Sequence, residues 1–195
     1  PVIAYNYDNE HITPYSFDVE LDDNRMKVEY AVSHQSALYR IMFEADKPAY
    51  IMVNTRNGVI RSSEGFISGY QKLSNNTNVY LYIESKEKPV ECGILSNGAI
   101  DCGKSEIEGN NACAVWRFAD GTSSVNLRYG ISFISEEQAK KNLQREQKNF
   151  DIDFLAQEGR RIWNETLSRI RVEGGTEDEK TVFYSSYYRT FERPI

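Results

Sequence analysis

Gly98, Gly103, Lys104 and Ser105 have the G-x-x-x-x-G-K-S spacing of a phosphate-binding loop. That chemistry needs a strand before the loop and a helix opening at the Lys-Ser pair, so that loop amides and the helix N-terminus converge on phosphate. Here Gly98 belongs to an Asn97-Gly98 pair, which suits a hairpin turn, and Gly109-Asn110-Asn111 stops any helix four residues after Ser105. The match is a coincidence of a turn-rich stretch. The nucleophile elbow G-x-S-x-G and the zinc-protease pattern H-E-x-x-H are both missing from the sequence. His34 sits in Ser33-His34-Gln35-Ser36, a turn composition, and His11 in a polar segment. Both read as solvated rather than as general bases. Cys92, Cys102 and Cys113 do not have zinc-site spacing; an odd count allows at most one disulfide, and inert core thiols are the simpler reading. Carboxylates are abundant, but Asp22-Asp23 reads as a turn, while Asp151-x-Asp153 and Glu177-Asp178-Glu179 read as helix starts. No pair is singled out for acid–base work, and no catalytic residue or metal ligand is assigned. The sequons at Asn75 and Asn164 recur too often by chance to carry an argument.

The elements that would hold any site are clearer. The 195 residues carry 23 basic and 29 acidic side chains, a net charge of −6, which repels a phosphate backbone and disfavours nucleic acid as a partner. No apolar run approaches the ~20 residues of a membrane span. Thirteen Tyr, nine Phe and two Trp favour half-buried strands. Tyr15, Phe17, Val19 and Leu21 alternate with polar neighbours, as do Met26, Val28, Tyr30 and Val32 after the turn at Asp22-Asp23-Asn24. Further β runs are expected over 37–43, 50–54, 65–71, 79–84, 112–118 and 124–133. Asn57-Gly58, Asn97-Gly98 and Asp120-Gly121 suit type I′ hairpins between them. The expected fold is mainly β, an antiparallel two-sheet sandwich over residues 1–134.

At Ser135 the pattern changes. Ser135 and Gln138 fit a capping box opening a helix over 135–149. A second helix is expected over 153–168, with Leu155, Ile162, Trp163 and Thr166 on one face and Gly159 costing about 1 kcal/mol inside it. Thr176 and Glu179 form another capping box, opening a third helix that runs to Phe191. Val182, Phe183, Tyr184, Tyr187, Tyr188 and Phe191 cover more than one face of that helix, so it calls for burial on several sides. Residues 135–195 therefore read as a helical linker to a domain outside this chain. Pro1 in place of an initiator Met, and Pro194-Ile195 after an aromatic helix, read as boundaries within a longer polypeptide.

Several stretches in order resemble the N-terminal β-sandwich and helical linker of glycoside hydrolase family 92, the calcium-dependent exo-α-mannosidases. They are Ile67-Ser68-Gly69-Tyr70, Val79-Tyr80-Leu81-Tyr82-Ile83 and Tyr129-Gly130-Ile131-Ser132-Phe133-Ile134-Ser135 with Glu137-Gln138-Ala139 and Asn142-Leu143. Trp163-Asn164, Leu167-Ser168-Arg169-Ile170, Val172-Glu173-Gly174-Gly175-Thr176, Phe183-Tyr184, Tyr188-Arg189 and Arg193-Pro194 follow. Residues 1–66 fit more loosely, and Tyr39-Arg40 stands where members often carry His-Arg. The resemblance implies the N-terminal domain of an exo-acting, inverting α-1,2-mannosidase exported by a bacterium. Its catalytic carboxylates and calcium ligands would lie in a helical barrel beyond Ile195, so this chain alone would be inactive. Its substrates would be mannose-containing glycans. Arg189, Glu192 and Arg193 are the groups expected nearest the substrate cleft. Two other readings stay open: a lectin-like sandwich stacking sugars on Tyr70, Tyr80, Tyr82 or Trp116, and an assembly domain associating through its last helix.

Overall fold

The computed structural model describes residues 9–21, 26–44, 46–74 and 77–191. The turn at Asp22-Asp23-Asn24 and the sequon residue Asn75 lie outside them. The described strands are β1 (Glu10–Ile12), β2 (Ser16–Leu21), β3 (Met26–Val32), β4 (Ser36–Met42), β5 (Tyr50–Thr55), β6 (Gly58–Ser62) and β7 (Ile67–Lys72), then β8 (Asn78–Ser85), β9 (Glu91–Ser96), β10 (Ala99–Asp101), β11 (Glu106–Gly109), β12 (Ala112–Arg117) and β13 (Ser124–Ser132). Three helices follow: α1 (Glu136–Glu146), α2 (Ile152–Leu167) and α3 (Glu177–Arg189). Nine strands form one antiparallel sheet in the order β1-β2-β3-β4-β13-β8-β7-β6-β11, and four form another in the order β10-β9-β12-β5.

The sandwich core lies between the two sheets. Trp116, Phe118, Ile60, Ile67, Ile94 and Val125 are buried there, with Trp116 and Phe118 meeting edge to face at 6.5 Å. The two-residue period of a strand splits the side chains of β13 between its faces. Val125 and Leu127 enter this core, while Gly130, at odd spacing from them, meets α1 on the other face. The four-stranded sheet leaves an apolar cleft of about 760 Å³ beside β5, lined by Val28, Tyr39, Ile41, Met52, Leu127 and Tyr129. Tyr39 stacks there between Tyr30 and Tyr129, and burial, then the neighbouring Tyr129, pushes its phenol up to about 12.

α1 and α2 cover the second face of the larger sheet and make a third layer, on which α3 rests through α2. α1 packs Ala139 and Leu143 against Tyr82, and Ile152 of α2 packs against Ala31 and Leu38. Gly159, costly in a free helix, sits against Tyr15: a Cβ there would lie 2.5 Å from the Tyr15 Cβ. The close approach explains the glycine inside α2.

Several expectations change. Asn97-Gly98 does close the two-residue β9–β10 hairpin, with φ of 52° and 80° at its two centres. Asn57-Gly58 and Asp120-Gly121 do not close hairpins. β5 and β6, like β12 and β13, lie in different sheets, so these turns carry the chain from one layer to the other. β1, β6, β9, β10 and β11 were not anticipated. β6, β9 and β11 are held by strands not next to them in the chain, as when β11 pairs β6 between Ile107 and Ile60, while β1 and β10 are short edge strands paired with their sequence neighbours β2 and β9. Ser135 caps α1 by accepting from the Gln138 amide at 3.1 Å, but the Gln138 side chain donates to Asn142 instead of returning to the cap. Asn142 in turn donates to the Ile131 carbonyl at 2.9 Å, tying helix to strand. The Thr176–Glu179 box of α3 is complete in both directions.

Candidate functional site

Three surfaces bear on function: the α3 helix, a cleft beside α2, and the polar face of the nine-stranded sheet under α1 and α2. Arg189 is the last residue of α3 and is exposed. Glu192 and Arg193 lie outside the described residues, so the three are not placed together. No residue of α3 is buried. The helix leans on α2 through Trp163, whose ring meets Tyr188 at 4.8 Å and Phe191 at 5.8 Å. The Tyr184 hydroxyl also donates to the Ile170 carbonyl at 3.1 Å.

Trp163 is shared with a cleft of about 530 Å³ between α2, the end of α1 and the β3–β4 turn, whose walls include Tyr15, His34, Glu146, Phe154 and Ile162. Phe154 is 60% exposed and Ile162 is 47% exposed. His34 is exposed in the β3–β4 turn, as its neighbours foretold. Phe154 and Ile162 thus leave apolar surface open along this cleft.

The carboxylates nearest these surfaces are committed. Arg40 reaches Glu29 and makes a two-pronged contact with Asp153 at 3.0 Å on each arm. The Arg40 guanidinium therefore holds Asp153 below the usual carboxylate range. Arg128 pairs with Glu84, donates to the Gln147 carbonyl at 2.8 Å and lies over the Phe150 ring. Glu136, in the first turn of α1, accepts from Arg61 and from Ser68. Glu146 accepts from the Gln35 amide at 3.0 Å and the Ser36 hydroxyl at 2.8 Å. Burial works against its charge, but those bonds, with Arg145, outweigh it and hold the carboxyl below its ordinary value.

A pH dependence follows. A carboxyl depressed in the folded chain binds fewer protons folded than unfolded. The stability that Glu146 contributes is complete above its unfolded value, near 4.5, and is lost as pH falls through and below it. Glu146→Gln is expected to flatten the fall of melting temperature between about pH 5 and pH 3. Calorimetry across that window checks it; an unchanged acid limb would show that Glu146 contributes nothing.

Among the described residues, no group of three or more His, Cys, Asp or Glu converges to hold a metal. With Glu29, Asp153, Glu84 and Glu136 engaged by arginines, these residues do not fit a calcium seat. Cys92, Cys102 and Cys113 are free thiols. At the G-x-x-x-x-G-K-S match, the Gly103 amide donates to the Asp101 carboxylate at 3.1 Å and Lys104 faces the same acid. β11 follows where a phosphate site would need a helix. The tyrosine platform is also revised. Trp116 is fully buried, with its indole N–H donating to the Ser63 carbonyl at 2.8 Å, and Tyr82 is 7% exposed beneath α1. Tyr70 and Tyr80 remain, half-buried and tilted on each other at 5.6 Å. No described helix is long and apolar enough to cross a membrane.

The architecture is an antiparallel sandwich with helices seated on the larger sheet and a last helix in which no residue is buried. The chain belongs to glycosyl hydrolase family 92. The family's N-terminal domain matches residues 2–132, and its catalytic domain matches residues 138–195. Among solved structures, the chain is similar to an inverting mannosidase of this family from Bacteroides thetaiotaomicron, with a TM-score of 0.85 and 24% identity over 96% of this chain and 27% of that one. An α-mannosidase of the same family and organism matches with a TM-score of 0.82 and 20% identity over 94% of this chain and 27% of that one. An uncharacterized secreted glycosidase from Arthroderma benhamiae is 34% identical over 80 residues, which are 39% of this chain and 10% of that protein. The chain thus spans about a quarter or less of the relatives it matches.

Proposed function

We propose that this chain is the sandwich and opening helices of an exo-acting, inverting α-1,2-mannosidase of family 92. In this reading it shapes one wall of the substrate cleft and supports a catalytic domain that continues past Ile195. The observation that carries the reading is the order of the two matches: sandwich over 2–132, then the opening of the catalytic domain from 138 onward. The arginine-bound carboxylates agree with acid and base residues elsewhere in the parent. An inverting glycosidase needs two carboxyl groups about 6.5–9.5 Å apart, one to protonate the leaving oxygen and one to activate water. Calcium, if the parent uses it, takes its ligands from that same region. Arg189, with Glu192 and Arg193, would sit where α3 approaches the cleft. The parent would be an exported bacterial protein acting on mannose-containing glycans, in keeping with the secreted glycosidase it resembles in part.

Two measurements test this. The full-length parent is expected to release mannose from α-1,2-mannobiose as the β-anomer, followed by proton NMR. The isolated chain is expected to give no heat on titration with mannose or α-mannobiose, with or without calcium. Release of the α-anomer would remove the inverting mechanism. Millimolar or tighter binding by the chain alone would overturn the supporting role in favour of a lectin-like sandwich.

A further inference from the structure

Cys92 and Cys102 meet at the corner where the chain leaves the smaller sheet. Cys92 lies on β9 directly opposite Trp116 of β12, so its side chain is on the core side of the sheet, where it is half-buried. β9 and β10 pair antiparallel with Asp101 opposite Ile94, which brings Cys102 up to Gly93. That approach is why position 93 is glycine: a Cβ there would lie 2.4 Å from the Asp101 carbonyl oxygen and 3.0 Å from the Cys102 Cα. Adding a C–C bond of ~1.5 Å puts the Gly93 and Cys102 Cα atoms within ~4.5 Å of each other. Cys92 is one ~3.8 Å step back along β9, close to right angles to that approach, so the two cysteine Cα atoms are about 6 Å apart. A disulfide spans ~4.4–6.8 Å between Cα atoms. The chain then turns, the Lys104 amide donating to the Asp101 carbonyl at 3.2 Å, and crosses to the larger sheet, where the Ser62 amide donates to the Ser105 carbonyl at 2.8 Å. This turn runs toward the side of β9 that Cys92 faces. Cys113 is out of reach. It lies three residues from Trp116 along β12, about 10 Å away and on the opposite face, buried, with its thiol donating to the Ala114 carbonyl at 3.6 Å.

We propose that Cys92 and Cys102 are a dithiol that closes to a disulfide and pins the open end of the β9–β10 hairpin at the crossing between the sheets. Their surroundings set the order of events. Cys102 is exposed and is the thiol an oxidant meets first. The oxidant is an external disulfide, either glutathione disulfide or that of a thiol oxidoreductase. The Cys102 thiolate attacks one of its sulfurs, forms a mixed disulfide and releases one external thiol. Burial, then Glu64 and Cys102, push the Cys92 thiol up, so Cys92 acts second, as the resolving thiol. Its sulfur attacks the Cys102 sulfur and displaces the second external thiol. One external disulfide and two cysteine thiols thus become one internal disulfide and two external thiols. The exported location proposed above is where such an oxidant is met, but the geometry does not depend on it.

Thiol mapping of the 195-residue chain tests this. The chain is equilibrated with reduced and oxidised glutathione at the poise of an oxidising compartment, unfolded in N-ethylmaleimide, digested and read by mass spectrometry. The expected product carries a single maleimide, on Cys113, and a peptide pair joined through Cys92 and Cys102. In Cys92→Ser, Cys102 is expected to keep a bound glutathione, because the resolving thiol is gone. Maleimide on all three cysteines of the unaltered chain would overturn the inference, as would a bond that includes Cys113. Glutathione that stays on Cys102 of the unaltered chain would also overturn it, since Cys92 would then be out of reach. If Cys92→Ser does not fold, the map of the unaltered chain decides alone. The same map made on the full-length parent recovered from its cells reads the compartment separately. Three free thiols there, with the bond still closing in glutathione buffer, would reject the exported location and leave this inference standing.

Discussion

Gly130→Val is expected to lower the melting temperature of this chain by about 6–12 °C, from a cost of about 3 kcal/mol. Gly130 lies on β13 between Ser36 of β4 and Tyr82 of β8, directly under α1. A Cβ there would lie 2.4 Å from the Ala139 carbonyl oxygen, 2.8 Å from the Leu143 Cβ and 2.9 Å from the Leu143 amide nitrogen. Two of those three atoms are helix backbone and cannot rotate away. The helix must therefore rise off the sheet, uncovering Tyr82, Ala139 and Leu143 and pulling Asn142 from the Ile131 carbonyl. Differential scanning calorimetry measures the shift. A variant that melts within about 2 °C of the parent chain would mean that α1 is not seated on β13 as described.

Trp116→Ala is expected to cost about 4 kcal/mol, by removing the largest fully buried side chain of the inter-sheet core. The loss combines apolar area returned to a cavity with the edge contact to Phe118 and the indole bond to the Ser63 carbonyl. Trp116→Phe keeps most of the volume and is expected to cost less than half as much. Urea unfolding of the three proteins measures both, and the same samples address sugar stacking. A core tryptophan predicts lost stability with no change in mannoside titration. A stable Trp116→Ala variant that had lost sugar affinity would place the indole on the surface and revive the lectin-like reading.

The parts of the fold legible in the sequence are those written in local periodicity. Alternation marked β2 and β3, runs of strand-favouring residues marked β4 and β13, and the capping residues Ser135 and Thr176 marked the starts of α1 and α3. Asn97-Gly98 announced its hairpin because a two-residue turn needs nothing beyond its own backbone angles. The other two Asn/Asp-Gly turns misled because the same dipeptide serves a change of sheet as readily as a hairpin. β9 and β11 carry little pattern of their own, and strands elsewhere in the chain, β12 and β6, hold them in place. For the site, the apolar crowding on α3 was visible along the chain, but its seat on Trp163 was not. Trp116 and Tyr82 looked available for sugar because composition does not report which face of a strand is covered.

The sequence by itself determined the mainly β class, the switch to helices near Ser135 and the family. Each follows from spacing over a few residues or from the order of short stretches. Only the tertiary structure decided that the described strands divide nine to four between two sheets, that α1 and α2 close the outer face of the larger sheet, and that no residue of α3 is buried. Those outcomes depend on contacts between residues about a hundred positions apart, such as Gln35 with Glu146 or Arg40 with Asp153. Each half of such a pair is an ordinary polar residue in its own neighbourhood, and its role exists only once the chain has closed the loop between them.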